Sequence, residues 1–519
     1  MISQDPVADT LQNYWGYSSF RPSQEAIVRS IAAGRDTCVV MPTGGGKSLC
    51  YQLPAAMDPG RTAVVISPLI ALMQDQIAQL EQMGIAAACI NSCQAAAERE
   101  EIVRRAVRGE YRLLYLSPES VAQKTTLDWL GKVPISFFAI DEAHCISEWG
   151  HEFRPEYREL NRLRTKFPKC HVSAFTASAT QHVRHDIVDQ LALRDPLCHV
   201  ASFHRRNLRY AAKLTNSENQ DGLLLQVVRH AEGGSVIVYA PTIARVQETV
   251  EFLERNGVAA VGYHGRMASG ERRSAQEGWM LDNVRVIVGT CAFGLGINKA
   301  SVRCVIHLGL PKSLEQYYQE AGRAGRDGLP ADCILLWRRA DAGTQAFFIN
   351  QILDKEEKDR AWQRYRDIRG YAESRSCRNF RICQHFGEKP EWQRCGNCDI
   401  CCGAPDWLED EDRTTASAGR TAKDDTQASP VLVASSPAQP SSLRESLRQW
   451  RSRIAKEKAT AAFIVMHDTS LDDLCRKRPR SLEELRKVSG FGEKKTQQYG
   501  EQILAVIREE AELSRPPTV

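Results

Sequence analysis

Two short stretches of the chain carry residues whose types and order suit phosphate chemistry. In MPTGGGKS (41–48), three consecutive glycines run into Lys47 and Ser48. Glycines let backbone N–H groups close around phosphates at a helix start. Lys47 then suits the β- and γ-phosphates of a nucleotide and Ser48 a Mg²⁺ ion, with Thr43, Gly44, Gly45 and Gly46 as the cradle. The strict pattern of such a loop has glycine five residues before Gly46, where this chain has Met41. In FFAIDEAH (137–144), an apolar run ends in two carboxylates. Asp141 suits a Mg²⁺ ion, and Glu142 suits a water that must be oriented or deprotonated for attack. A nucleotide with β- and γ-phosphates and Mg²⁺ is the ligand these residues predict.

A second chemistry is written in CGNCDICC (395–402). A tetrahedral zinc site needs four nitrogen or sulfur ligands. Cys395, Cys398 and Cys401 have C-x₂-C-x₂-C spacing, whereas Cys402, adjacent to Cys401, would diverge from it. The fourth ligand must come from upstream, where Cys377 and Cys383 are candidates and His385 a weaker one. Free thiols or an iron–sulfur cluster are the competing uses of such a group. A closed four-ligand zinc has no open position and is structural.

The elements that must position these residues can be read from hydrophobic pattern. DTCVVM (36–41), TAVVIS (62–67), YRLLYLS (111–117), ISFFAID (135–141) and HVSAFTA (171–177) are short β-branched or aromatic runs separated by helical patterns. The phosphate loop follows the first of them, and the acid pair ends the fourth, at the edge where open α/β sheets bind ligands. SVIVYA (235–240), VRVIVGT (284–290) and VRCVIHLG (302–309) resume the pattern, with the helix IARVQETVEFLERNG between them stopped by Gly257. This alternation predicts α/β folding in two tandem parallel-sheet domains, split near ASFHRRNLRY (201–210).

Of 519 residues, 43% are hydrophobic and 25% charged, the profile of a globular protein. A net charge of +4 is too small to imply a polyanion partner by itself. The first residues lack the basic and apolar segments of a signal peptide, and no apolar run is long enough for a bilayer, so no membrane association is expected. A cytoplasmic setting, nucleoid-associated in a bacterium, is expected. There most of the 17 cysteines would be reduced, and a cluster favours metal over disulfides.

With MPTGGGKS and DEAH (141–144), the later QEAGRAGRDG (319–328) makes the sequence resemble superfamily-2 helicases, and more narrowly the RecQ DNA helicases. WGYSSFRPSQ (15–24) resembles that family's adenine-recognition motif, and SPLIALMQDQ (67–76), FTASAT (175–180) and GTCAFGLGINK (289–299) follow in the family's order. The resemblance covers roughly residues 10–402. It implies two RecA-like lobes, with ATP between them. Gln24 would read the adenine edge, and Tyr17 or Arg21 would stack on the base. Arg326 resembles the arginine finger and Arg323 a second phosphate contact, although their roles could be exchanged. CISEWGHEFRPEY (145–157) resembles the aromatic loop that senses DNA, with Trp149, His151, Phe153 and Arg154 as its contacts. The family's cysteine spacing selects Cys377 as the fourth zinc ligand, with Cys395, Cys398 and Cys401. Single-stranded and forked or branched DNA are the implied partners; protein partners, such as a single-strand-binding protein, are not legible.

The expected organisation is lobe 1 over residues 1–204, lobe 2 over 205–339, a helical zinc module over 340–402, a disordered linker over 403–441, and a small all-α domain over 442–515. Many RecQ proteins continue from the zinc module into a winged helix, and 403–441 has neither the length nor the apolar residues for one. The last segment resembles the helicase-and-RNase-D C-terminal domain. Leu443, Leu447, Trp450 and Ile454 form one helical face, and SGFGEKK (489–495) offers Lys494 and Lys495 to DNA phosphate. The leading expectation is a 3′–5′ DNA helicase acting in recombination and repair. The alternatives are a DNA-stimulated translocase with weak unwinding, and an annealing or binding scaffold.

Overall fold

The computed structural model describes residues 5–91, 94–150, 152–231, 233–291, 293, 299–408, 442–458 and 462–513. Two parallel sheets organise the first two-thirds. The first contains β1 (Thr37–Val40), β2 (Thr62–Ile66), β3 (Ala87–Ile90), β4 (Leu113–Leu116), β5 (Ile135–Ile140), β6 (His171–Thr176) and β7 (Leu197–Val200). Their spatial order is β3-β4-β2-β5-β6-β1-β7. The second contains β8 (Leu208–Thr215), β9 (Ser235–Tyr239), β10 (Ala260–Tyr263), β11 (Val286–Gly289), β12 (Val302–His307) and β13 (Ala331–Arg338), in the order β10-β11-β9-β12-β13-β8. β1, β2, β4 and β5 are buried at every position, because helices cover both faces of a parallel sheet.

All eight strands expected from sequence are present, and five more accompany them. The edge strand β7 alternates half-buried and exposed residues, and β10 is the short run Ala-Val-Gly-Tyr. Neither has the continuous apolar signature of a central strand. β13 holds the apolar run Cys333–Trp337, which periodicity alone does not separate from a buried helix.

The strand ends place the chemistry. β1 hands the chain to the phosphate loop and then to the helix Lys47–Met57; β5 ends immediately before Asp141. Because β1 and β5 flank β6, the loop and the acid pair emerge on the same edge of the sheet. The helix Leu314–Ala321 of the second lobe delivers the turn that carries Arg323 and Arg326.

One apolar cluster runs from Phe138 and Ile140 through Phe203 and Tyr318 to Phe386, so lobe 1, lobe 2 and the zinc module share a core. The zinc module is built on the helices Lys355–Glu373 and Arg378–His385. The start of the expected linker differs from expectation. Residues Asp406–Leu408 form a 3₁₀ turn against lobe 2, where Leu408 is buried and the Trp407 ring stacks on His230 at 4.3 Å. Two large apolar side chains are enough to hold this piece of chain. The rest of that segment, 409–441, lies outside the described residues.

From Ser442 the chain forms a helical module with its own core, including the expected face of Leu443, Leu447, Trp450 and Ile454. Its last helix is Glu493–Leu513. The module rests on lobe 1 with backbone against backbone: a β-carbon at Gly16 would lie 2.8 Å from Phe491 C, and one at Gly492 would lie 2.6 Å from Tyr14 O. Among the described residues, no helix is long and apolar enough to cross a membrane.

Candidate nucleotide site and zinc centre

The phosphate loop takes the shape its glycines permit. Gly44 and Gly46 both have φ of 82°, the left-handed region that side chains avoid, and Gly46 caps the helix that begins at Lys47. Lys47 Nζ donates to Met41 O at 3.1 Å, so the lysine lies back across its own loop. Burial pulls its amine below the ordinary value, against the attraction of Glu142 and Asp141.

The acid pair faces it. Asp141 is buried, its N–H donates to Ile66 O at 2.8 Å, and its carbonyl accepts from Tyr157 Oη at 2.9 Å. Burial, then the neighbouring Glu142, raises the Asp141 carboxyl far above the usual carboxylate range, while Lys47 opposes the shift. Glu142 has φ of 47°, an uncommon backbone conformation for a residue with a side chain, and it turns the carboxylate out of the strand direction. His144 Nδ1 lies 3.3 Å from Glu142 Oε2 and 2.9 Å from Thr176 Oγ1. That histidine connects the acid pair to FTASAT, a link that sequence reading left undrawn although both motifs were visible.

The second lobe closes the site. A β-carbon at Gly44 would lie 3.5 Å from Arg326 Cγ, so the arginine turn packs directly on the phosphate loop. Burial and the neighbouring Arg323 and Arg205 push the Arg326 guanidinium down to about 9. Arg323 and Arg326 thus both line the cleft beside the phosphate loop, an arrangement suited to an anion with several negative oxygens. Gln319 Nε2 donates to Ser178 Oγ at 2.9 Å, joining the helix before the arginine turn to lobe 1.

The base side differs in detail from expectation. Gln24 is buried; its Oε1 accepts from Arg21 N at 2.9 Å, and its Nε2 donates to Gly46 O at 3.1 Å and Gly45 O at 3.2 Å. The amide nitrogen therefore braces the phosphate loop in this arrangement, while the amide oxygen holds the turn at Arg21. Arg21 also donates to Gly44 O. Tyr17 packs at the edge of the apolar cluster that holds Trp15, and burial raises its phenol. Tyr17, Arg21, Thr43, Ser48, Asp141 and Arg326 all line one cleft of about 930 Å³.

The helical module lines the same cleft with Lys477, Lys487, Ser489 and Lys495. SGFGEKK, expected to offer Lys494 and Lys495 to DNA phosphate, lies against lobe 1 in this structure. Lys494 Nζ donates to Glu81 O of lobe 1 at 2.7 Å, and Lys495 is buried, its amine lowered to about 8 by burial. The glycine turn fits against lobe 1 because Gly492 has no side chain to hold it away.

Of the aromatic loop, Trp149 is 52% exposed, with its ring edge-on to His182 at 5.0 Å and the Arg360 guanidinium 5.8 Å away. Phe153 is half-buried under Arg158, and Arg154 faces Glu119. Tyr157 is core. His151 lies outside the described residues. An exposed tryptophan beside an arginine is equipped to stack on a base.

Four thiols gather as the spacing and resemblance implied. The Sγ atoms of Cys377, Cys395, Cys398 and Cys401 lie within 4.8 Å of one another. Cys377 and Cys398 are 3.8 Å apart, and Cys395 and Cys401 4.0 Å. Ligands about 2.3 Å from a tetrahedral zinc stand about 3.8 Å apart, so the quartet fits the ion. Asn379 Nδ2, Cys395 N and Asn397 N donate to these sulfurs. Cys402 Sγ turns away to Gly396 O, Cys383 is buried elsewhere in the core, and His385 pairs with Glu315 at 2.6 Å. Asp399 ties the loop down: it takes two N–H groups of Arg378 and accepts from Ala212 N at 2.9 Å on β8. The zinc centre is thereby fixed to lobe 2.

Two stacked parallel α/β lobes with a phosphate loop, an acid pair and a facing arginine turn are the arrangement of the DEAD/DEAH box class. The model of the DEAD/DEAH box helicase matches residues 21–186, and that of the helicase conserved C-terminal domain matches 219–328. The RecQ zinc-binding model matches 339–402 and the HRDC domain 441–507. The chain belongs to the RecQ family. It is 42% identical over 400 residues to the ATP-dependent DNA helicase RecQ of Pasteurella multocida, covering 76% of this chain and 62% of that one. It is 41% identical over 393 residues to the Bacillus subtilis protein of the same name, covering 75% and 66%. The match therefore spans less than two-thirds of these relatives' length. The DNA-bound DUF1998 helicase MrfA shares the fold at a TM-score of 0.54 and 18% identity, over 67% of this chain and 54% of that one.

Proposed function

We propose that this chain is an ATP-dependent DNA helicase that moves 3′ to 5′ along single-stranded DNA and separates forked or branched duplexes. The observation that carries the reading is the convergence of Lys47, Asp141, Glu142 and Arg326 in one cleft between two lobes. The names of the relatives, ATP-dependent DNA helicases, support the substrate class.

In this reading the N–H groups of residues 43–48 and the Lys47 ammonium hold the β- and γ-phosphates. Ser48 and Asp141 hold Mg²⁺, which neutralises charge on those oxygens. Glu142, fixed by His144, orients the water. Arg326 meets the charge that develops on the transferring phosphoryl group, and Arg323 holds a neighbouring oxygen. The Ser178–Gln319 bond reports the state of the cleft from one lobe to the other. Trp149 and Arg154 lie directly after the acid pair, so DNA in that loop presses on the same backbone that positions Glu142. Repeated closing and opening of the lobes then moves the strand. The four cysteines hold a structural zinc. The protein would act where chromosomal DNA is, in the cytoplasm or nucleoid of a bacterium.

The test is unwinding of forked, 3′-tailed and four-way DNA, with ATP hydrolysis measured in parallel. ATP-dependent strand separation that is lost in Lys47→Ala is expected. Hydrolysis that persists in Lys47→Ala would overturn the assignment. Single-strand-stimulated hydrolysis without strand separation would favour a translocase, a reading that the short interval between the zinc and HRDC modules also suits.

A further inference from the structure

The segment that joins the lobes carries an arginine that touches both halves of the nucleotide site from behind. Arg205 Nη1 donates to Thr43 O of the phosphate loop at 2.8 Å. Its Nη2 donates to Gly325 O at 2.8 Å and Ala324 O at 3.3 Å, in the turn between Arg323 and Arg326. Its Nε donates to Asn207 Oδ1 at 3.3 Å. Asn207 Nδ2 in turn donates to Gly325 O at 2.8 Å and Leu329 O at 2.9 Å.

The ends of this joining segment are held as well. Ala201 N donates to Val40 O at 2.8 Å, beside the start of the phosphate loop. Glu388 of the zinc module accepts from Ser202 Oγ at 2.7 Å and from Phe203 N at 2.8 Å. The Phe203 ring stacks on Phe386 at 4.3 Å. The segment is thus fixed to lobe 1 and to the zinc module on either side of an arginine that spans the cleft.

We infer that Arg205 is a positioning residue for ATP hydrolysis: its planar fork sets the separation between the phosphate loop and the arginine turn, so that Arg326 reaches the transferring phosphoryl group. This rests on the proposed hydrolysis at that cleft. The chemistry is particular to arginine. Guanidinium presents five donors in a fixed plane and can hold carbonyls on opposite sides at once; an ammonium on a flexible stem cannot fix that span. The contacts go to carbonyl oxygens and leave the loop's N–H groups to the phosphates. Nucleotide affinity should therefore survive the loss of Arg205, while the rate of the chemical step should not.

The test uses the full chain with single-stranded DNA. In Arg205→Ala, kcat for ATP hydrolysis should fall by about 10²-fold, as a displacement on the order of 1 Å can cause, with KM for ATP changed by less than about threefold. Arg205→Lys should stay as slow, and millimolar guanidinium should restore part of the rate in Arg205→Ala but not raise that of the unaltered protein. Normal kcat in Arg205→Ala would overturn the inference. So would a loss of kcat accompanied by a lower melting temperature and no guanidinium rescue, which marks a merely structural residue. An unaltered protein that fails to hydrolyse ATP would instead refute the proposed function.

Discussion

Gln319 of the second lobe donates to Ser178 of the first at 2.9 Å, and the two residues belong to the motifs QEAGRAGRDG and FTASAT. The contact joins the two lobes across the cleft. Removing either partner should slow DNA-stimulated ATP hydrolysis rather than weaken nucleotide binding. A neutral hydrogen bond of about 1 kcal/mol corresponds to roughly a fivefold loss of kcat in Gln319→Ala or Ser178→Ala. Steady-state kinetics that separate kcat from KM check it, and the double variant should be no slower than either single one.

Glu142 is held by its unusual backbone turn and by His144, yet it is not a Lys47-type phosphate contact. Glu142→Gln should retain nucleotide binding and lose hydrolysis by about 10²–10⁴-fold, the usual contribution of a general base. Fluorescent-nucleotide titration beside a phosphate-release assay distinguishes the two effects.

Burial and Glu142 raise Asp141 in the folded chain. A carboxyl raised in this way binds more protons folded than unfolded, in the interval that opens above its ordinary value of 3.8. Stability is therefore highest below that interval and is lost as pH rises through it, after which the buried charge is a constant cost. Asp141→Asn should raise the melting temperature more at pH 8 than at pH 4 while abolishing hydrolysis. Thermal melts across pH give the comparison. An equal gain at both values would contradict the burial argument.

The zinc quartet and its neighbours make opposite predictions. Cys398→Ser should abolish zinc retention and lower the melting temperature, whereas Cys402→Ser should leave both unchanged. Asp399→Ala removes the carboxylate from a buried pair with Arg378 and should destabilise the chain by about 3–5 kcal/mol. Metal content by atomic emission, together with thermal melts, measures all three.

Trp149 is exposed where a buried core residue would not be. Trp149→Ala should therefore weaken single-strand binding by roughly tenfold, the scale of one stacked base, without lowering the melting temperature. DNA stimulation of hydrolysis should fall with it. A large loss of stability would mean that the ring is structural.

Eight of the thirteen strands, the phosphate loop, the acid pair and three of the cysteine ligands were legible in the sequence because each is local: a run of apolar residues, a glycine turn, a spacing. The choice of Cys377 over Cys383 needed the family pattern, and the structure shows why the alternative fails, since Cys383 turns into the core beneath Phe386. Gln24 and the lysines of SGFGEKK were harder. Gln24 is a motif residue whose amide turned out to brace Gly45 and Gly46. Lys495 was read as a phosphate contact because the glycine turn around it resembles a phosphate-binding turn; its burial depends on how two modules meet, about which local sequence says nothing. Arg205 had no motif of its own, and only the closing of the lobes around it gave it partners.

The backbone approach of Gly16 to Phe491 and of Gly492 to Tyr14 has a thermodynamic consequence. The helical module reaches the nucleotide cleft with Lys495 and Ser489, so occupancy of the cleft and docking of the module cannot be independent. If nucleotide changes the affinity of the module for lobe 1 by some factor, docking must change nucleotide affinity by the same factor. A side chain at position 16 or 492 would part the two backbones. In the proposed ATPase cycle the tail would then take part as a linked equilibrium, and an altered affinity for ATP on its removal is the expected sign of that coupling.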